Sequence, residues 1–164
     1  MEAMFRALLA IALFAPWLVR AAEPTQDEIV AWTNAPLKGL RTVGVIIEAM
    51  DPDAAKFGLT ENELQTSVEL AARRMGLKVL PVKTALSFLY LRVQCFLEEG
   101  LVVYSVALHL EDRATNNRTK QTRHVVVWNA NVFGTVGQNK ARDSLLQNTN
   151  RQMERFENAW RSVN

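Results

Sequence analysis

Few side chains in this sequence could carry out chemistry: there is one cysteine, Cys95, and there are two histidines, His109 and His124. A cysteine beside a histidine base can act as a nucleophile, and histidines on neighbouring strands can share a metal ion. Val93 and Leu97 flank Cys95 at strand spacing, which indicates a small apolar core residue. No carboxylate stands at ligand spacing beside either histidine, so both are expected on the solvent face of strands. We therefore expect no catalytic residue, metal or cofactor.

Paired carboxylates, which serve acid–base catalysis, occur at Asp51 and Asp53 and again at Glu98 and Glu99. Both pairs fall in predicted turns, where such residues cap the backbone and hydrate the loop. No serine stands in a nucleophile-elbow context. An enzyme that uses a histidine or the cysteine is kept as an alternative hypothesis.

The segment that follows the last predicted strand is the candidate binding surface. Trp128 is followed by amides and a phenylalanine, a mixture that can build a binding ledge, although Trp128 can instead belong to the core beneath the C-terminal helix. The glycines of 134–137 precede a helix whose N-terminus could receive an anion. They match neither a P-loop nor a dinucleotide fingerprint, and more simply let the chain turn from strand into helix. The candidate surface comprises Trp128, Asn129, Asn131, Phe133, Gly134 and Gly137.

Length and charge restrict the class of protein. The 164 residues are enough for about one domain. Lysine and arginine number 19 against 17 aspartate and glutamate, and no window concentrates the basic residues, so a nucleic-acid partner is not expected. A single cysteine excludes an internal disulfide.

The first residues, 1–21, have the composition of a cleavable signal peptide. Arg6 precedes an apolar run over 7–19, and the small residues Ala21 and Ala22 follow it. The run is shorter than the ~20 residues that a membrane span needs. We expect cleavage after Ala21 and a protein without a transmembrane span, in the periplasm or outside the cell. A retained N-terminal anchor is the alternative.

The positioning elements follow from hydrophobic periodicity. Thr60 and Glu63 form a capping-box pattern, and Gly76 supplies a stop, which together predict a helix over 61–75. A second, longer helix is predicted over 138–161, and a polar loop over 112–120. Apolar alternation predicts strands over 41–50, 77–82, 87–97, 101–111 and 121–130.

This order, β-α-β-β-β-β-α, predicts an α+β fold: a mixed, mainly antiparallel sheet of four or five strands with two helices on one face. The domain prediction is a signal peptide at 1–21, an N-terminal lead at 22–39 and a single α/β domain at 40–164. The lead contains a short helical turn at 26–32. Residues 51–53 are predicted to form a turn.

Four segments carry a resemblance to a known family: LKGL at 37–40, GLTENELQT at 58–66, VEL at 68–70 and GTVG at 134–137. Over most of the chain from Pro36 onward, the sequence resembles a family of small bacterial exported proteins that has no assigned activity. The resemblance implies export and brings no catalytic residues. At the level of topology, the element order is similar to the N-terminal domain of the TolB translocation protein and to outer-membrane lipoprotein activators of cell-wall synthases. The lipid-bearing cysteine of those lipoproteins is missing here.

These observations predict an exported, non-enzymatic interaction module. Its expected partner is a protein of the cell envelope, which would dock on a sheet edge or on the surface near Trp128. One alternative is a small-ligand binding protein with a pocket between the sheet and the C-terminal helix. The second alternative is the enzyme described above.

Overall fold

The computed structural model describes residues 23–164. The predicted signal peptide at 1–21 therefore lies outside the described residues. The chain divides into two compact units, Met1–Val30 and Ala31–Asn164. The sheet and the helices that pack on it all belong to the second unit.

Helix α1 (Gln26–Asn34) begins in the first unit and is longer than the predicted turn. Thr25 and Glu28 exchange hydrogen bonds at its start. The Glu28 N–H donates to the Thr25 hydroxyl over 3.3 Å, and the Thr25 N–H donates to the Glu28 carboxylate over 2.8 Å. This reciprocal pair satisfies donors that the first helical turn leaves free. A 3-10 turn (Ala35–Leu37) follows and buries Leu37.

The second unit contains one five-stranded sheet with the order β2-β1-β3-β4-β5. β1 pairs in parallel with β2 and β3, and the β3-β4 and β4-β5 pairs are antiparallel. The predicted α+β class and mixed sheet are confirmed. In chain order the elements are β1 (Thr42–Ile47), α2 (Pro52–Lys56), α3 (Glu61–Met75), β2 (Lys78–Val79), β3 (Phe88–Glu98), β4 (Leu101–Thr115), β5 (Thr122–Gly137) and α4 (Ala141–Arg161).

The start and end of α3 match the prediction from its sequence. The Glu63 N–H donates to the Thr60 hydroxyl over 3.2 Å, and Gly76 ends the helix in the left-handed conformation at φ 97°. The second predicted hydrogen bond of the capping box, in which the Glu63 side chain reaches back to the Thr60 backbone, was wrong. The Glu63 carboxylate accepts a hydrogen bond from Arg142 of α4 instead, so it joins two helices rather than closing one.

Other elements also depart from the prediction. β4 runs to Thr115, into the polar loop predicted at 112–120, because it stays paired with β5 as far as Thr122. The turn predicted at 51–53 is the start of the short helix α2, where Asp51 caps the chain by accepting from the Asp53 N–H over 3.0 Å. With α1 and α2, the described residues contain four α-helices rather than two. β5 runs seven residues past its predicted end at Ala130 and includes Gly134 and Gly137, because it stays paired with the whole length of β4.

The core lies between one face of the sheet and helices α2, α3 and α4. Along a strand, successive side chains point to opposite faces, and residues paired in register share a face. Leu91 and Leu108 lie on the face that the helices cover, and both are fully buried. Trp128 lies on this covered face, with its ring edge-on to Phe156 and the two centroids 5.1 Å apart.

Candidate functional site

The opposite side of the sheet, which we call the open face, has no helix packed on it within the described residues. Near the β3-β4 hairpin, three strands place uncharged side chains there. We define the open patch as Gln94, Phe96, Leu101, Val103, Ser105, Phe133 and Thr135.

The apolar members of the open patch are accessible to solvent to an unusual degree. Phe133 is 73% exposed, Phe96 60%, Leu101 54% and Val103 47%. Single exposed apolar residues are ordinary, but a contiguous group of them marks an interaction surface. Charged side chains lie next to the patch at its two ends on β3, Glu98 beside Phe96 and Arg92 beside Gln94. A surface of this composition favours protein contact over the binding of a charged small ligand.

Charged and polar groups border the patch on the β1 side. Arg92 donates a hydrogen bond to the carboxylate of Glu48, and both side chains stay partly accessible. Burial raises the pKa of Tyr90, and the neighbouring negative charge of Glu48 raises it further. The rim therefore resembles the polar border of a protein interface.

The far end of the open face is closed by the chain itself. A Cβ on Gly44 would lie 2.8 Å from the Phe88 ring and 2.9 Å from the Ala85 side chain. Phe88 in turn contacts the ring of His124, with centroids 5.1 Å apart. These contacts fill the sheet surface at that end and leave the accessible apolar area at the hairpin end.

The candidate residues named from the sequence are divided between the two faces. Asn129, Asn131 and Phe133 lie on the open face, opposite His109, Ala107 and Ser105 of β4, whereas Trp128 is buried in the core. The structure thus brings Phe133 into the open patch, places Asn131 one row beyond it and keeps Trp128 away from it.

The two glycines of the candidate set lie within β5. A Cβ on Gly134 would be 2.5 Å from the Tyr104 hydroxyl oxygen, because the Tyr104 ring lies across the strand at that point. Asn148 of α4 donates to the same hydroxyl over 2.9 Å. Gly137 pairs with Leu101 at the hairpin end of the sheet. Gly134 thus makes room for an aromatic ring.

Sequence analysis missed Phe96, Leu101 and Val103. The alternation of the hairpin predicts one buried phase, and Arg92 and Gln94 give the other phase of β3 a polar character. The signal was present: that second phase becomes apolar toward the hairpin turn.

The cysteine and the histidines do not form a reactive group. Cys95 is buried on the covered face, and burial, with the charges of Asp51 and Asp53, raises its pKa to about 11. The thiol is therefore protonated near neutral pH and a poor nucleophile. His109 pairs with Asn129 and His124 with Arg113 of β4, so the histidines lie at different levels of the sheet.

The layer between the sheet and α4, where the alternative hypothesis places a ligand pocket, is filled by side chains. Leu108, Leu145 and Phe156 are fully buried there. A groove of about 410 Å³ lies beside this layer, between α4 and β5. Arg155 crosses the groove and donates to the Asn131 carbonyl over 3.2 Å and to the Gln152 side chain over 3.3 Å.

A second cleft, of about 560 Å³, lies between α2 and the start of α4. Its two cationic side chains already have partners. Lys56 is 2.5 Å from the Asp53 carboxylate, and Arg142 pairs with Glu63. The anion site considered at this helix start thus has no unpaired cation among the residues that line it.

No family model matches this chain, and a search of curated proteins finds no match. Among solved structures, a PelC variant dodecamer from Paraburkholderia phytofirmans is similar at 16% identity and a TM-score of 0.42, covering 75% of this chain and 89% of its own. A PelC dodecamer from the same organism in a second crystal form is similar at 18% identity and a TM-score of 0.35, covering 70% of this chain and 87% of its own. A minor lipoprotein from Acinetobacter baumannii is similar at 13% identity and a TM-score of 0.34, covering 73% of this chain and 91% of its own. No function is transferred from similarities this distant.

Residues 23–164 were compared with two structural requirements, those of a metal site and those of a membrane-spanning helix. In this part no group of three or more His, Cys, Asp or Glu side chains is arranged to hold a metal ion. No helix in the same range is long and apolar enough to cross a membrane.

Proposed function

We propose that this protein is an exported, non-enzymatic interaction module of the bacterial cell envelope, and that the open patch is its docking surface. The observation that carries the proposal is the accessible, uncharged group of apolar side chains on the open face, with Phe133 at 73% exposure. A surface of this kind is stabilised when a second protein covers it.

The chemistry of the chain supports a binding role rather than catalysis. The pKa of Cys95 is raised to about 11. The two histidines lie at different levels of the sheet, His109 opposite Asn129 and His124 opposite Arg113. The leader pattern at 1–21 supports export.

The docking role is tested with a photo-crosslinking amino acid placed at Phe133 in the full chain, expressed in a bacterial host. The matched control places the same amino acid at Leu70, an exposed apolar residue on α3. We expect crosslinked protein at Phe133 and none at Leu70. Equal crosslinking at both positions, or none at Phe133, would contradict the proposal.

Export is tested separately by cell fractionation and by the mass of the N-terminus. We expect the protein in the periplasm or the medium with Ala22 as its first residue. A Leu13→Arg variant, which interrupts the apolar run of the leader, is expected to stay inside the cell uncleaved. A wild-type protein that starts at Met1 and sediments with membranes would overturn the prediction.

A further inference from the structure

We propose that the open patch binds a second copy of this chain, with the two sheets stacked face to face about a two-fold axis. This inference rests on the proposed function, since it names the partner of the same surface. Two copies of the patch can meet without burying an unpaired charge, which would strongly oppose association.

The open face is organised in rows that run across β3, β4 and β5. Sheets stack with their strands nearly aligned, and an isologous contact brings the same surface of both copies together. We consider a two-fold axis that lies in the interface and runs perpendicular to the strands. Each strand then faces the same strand of the second copy, and the rows of the two copies meet in reverse order. From the hairpin inward, the rows are Glu98-Leu101-Gly137, Phe96-Val103-Thr135, Gln94-Ser105-Phe133 and Arg92-Ala107-Asn131.

An axis between the second and third rows makes the patch complementary in size. Phe133 of one copy then faces Thr135 of the second copy, and Val103 faces Ser105. Leu101 of the first row faces Ala107 of the fourth. On β3, Phe96 faces Gln94. Large side chains thus oppose smaller ones along β4 and β5, which is the arrangement that allows two sheet faces to interdigitate.

The same axis makes the rim complementary in charge. Glu98 in the first row of one copy faces Arg92 in the fourth row of the second copy, and the symmetry forms this contact twice. Arg92 keeps 43% of its side chain exposed beside Glu48, so its guanidinium can donate to a second carboxylate. An axis parallel to the strands would instead place Glu98 over Gly137. The charges therefore select the first arrangement.

Pairing of two copies through the free edge of β5 is less favourable. Arg155 donates to the Asn131 carbonyl of that strand over 3.2 Å, and the 3-10 turn at Ala35–Leu37 packs against β5. Such coverage is how proteins prevent edge-to-edge association. Stacking of the open faces does not disturb either contact.

The size of the contact surface formed by the four rows indicates a reversible dimer. Three strands ~4.8 Å apart and four rows ~6.8 Å apart cover on the order of 400 Å² of each sheet. Two such faces remove roughly 800 Å² from water, about half of a standard interface. We therefore expect a monomer–dimer equilibrium in the micromolar range or above.

The test is sedimentation velocity over a concentration series, with the protein exported and purified from a bacterial host. We expect Phe133→Asp to raise the dissociation constant of the dimer at least about tenfold, since a buried charge would lack a partner. The matched control, Leu86→Asp, changes an exposed leucine outside the patch and is expected to leave the constant unchanged. Far-UV circular dichroism verifies that each variant is folded.

A charge swap tests the axis itself. Glu98→Arg alone and Arg92→Glu alone are each expected to weaken the dimer. Mixing the two variants is expected to restore a heterodimer, because both rim contacts are again between opposite charges. A dimer that depends on Phe133 but ignores both charge variants would overturn this arrangement.

A monomer at every concentration would overturn the second copy as the occupant. If the same monomeric protein still crosslinks to an envelope protein through position 133, the docking role stands and only this inference fails. If neither association is found, both proposals fail.

Discussion

Cys95 and Phe96 are neighbours in the sequence and lie on opposite faces of β3. Cys95 is 5% exposed beneath the helices, whereas Phe96 is 60% exposed on the open face. The two faces share the same strands and the same period-two alternation, so local structure does not distinguish them. The difference arises because all three helices of the second unit that follow β1 pack on one side. An apolar residue on the other side stays exposed unless another molecule covers it.

The largest expected contrast is between Leu108 and Val103, which point to opposite sides of β4. Leu108→Ala removes fully buried methyl groups and should lower the free energy of unfolding by about 2–5 kcal/mol. Val103→Ala, on the open face, should change it by less than about 0.5 kcal/mol. Urea unfolding at low protein concentration measures both. Similar losses from the two variants would show that the open face is also part of the stabilising core.

The second contrast compares two thiols on adjacent residues. The pKa of Cys95 rises from 9.0 to about 11, which lowers its thiolate fraction at pH 8 about a hundredfold before burial is considered. A Phe96→Cys substitution in a Cys95→Ala background places the thiol on the open face. We expect iodoacetamide to label that variant at least about a hundredfold faster than the wild type. Comparable rates would mean that the covered face opens readily.

Gly134 tests whether the covered face tolerates one extra carbon in β5. Gly134→Ala would bring a Cβ within 2.5 Å of the Tyr104 hydroxyl, and we expect a loss of about 1–3 kcal/mol in thermal or urea unfolding. Gly137→Ala, where the Cβ meets only the flexible Asn139 side chain at 3.1 Å, is the control and should cost less. A Tyr104→Leu change should reduce the penalty at 134, and strict additivity would argue against this contact.

The smallest expected effect concerns the helix that covers β1. Thr60→Ala removes the hydroxyl that accepts from the Glu63 N–H, and should cost about 1 kcal/mol. Thr66→Ala makes the same substitution at an exposed position within α3 and should be neutral or slightly stabilising. Chemical denaturation of the two variants gives the difference. Equal stability would mean that the cap contributes nothing to covering the sheet.

Elements with local signals were predictable from the sequence. The cap at Thr60 and the stop at Gly76 are decided by a few neighbouring residues, and α3 occupies its predicted range. The β3-β4 hairpin is similar, because Glu99 and Gly100 both adopt positive φ, at 49° and 80°. Strong alternation on either side then fixed which residues are buried.

Elements that depend on distant contacts were not predictable. The full length of β5 depends on its pairing with β4 and on the ring of Tyr104 over Gly134. The carboxylate of Glu63 is directed by Arg142, which lies 79 residues later in the chain. Of the residues named from the sequence, Phe133 lies in the open patch. Phe96 comes from a different strand, and only the sheet register places the two on adjacent rows.

Asn164 is hydrogen-bonded to the segment that leads into β1. The Asn164 side chain accepts from the Gly39 N–H over 2.7 Å and donates to the Leu37 carbonyl over 2.9 Å, while the Trp160 ring donates to the Leu40 carbonyl over 3.1 Å. Leu37 and Asn164 are therefore neighbours in space, although they lie toward opposite ends of the second unit's sequence. A short linker could join them covalently, with new termini opened at the β3-β4 hairpin, and such a circular permutant should keep the fold.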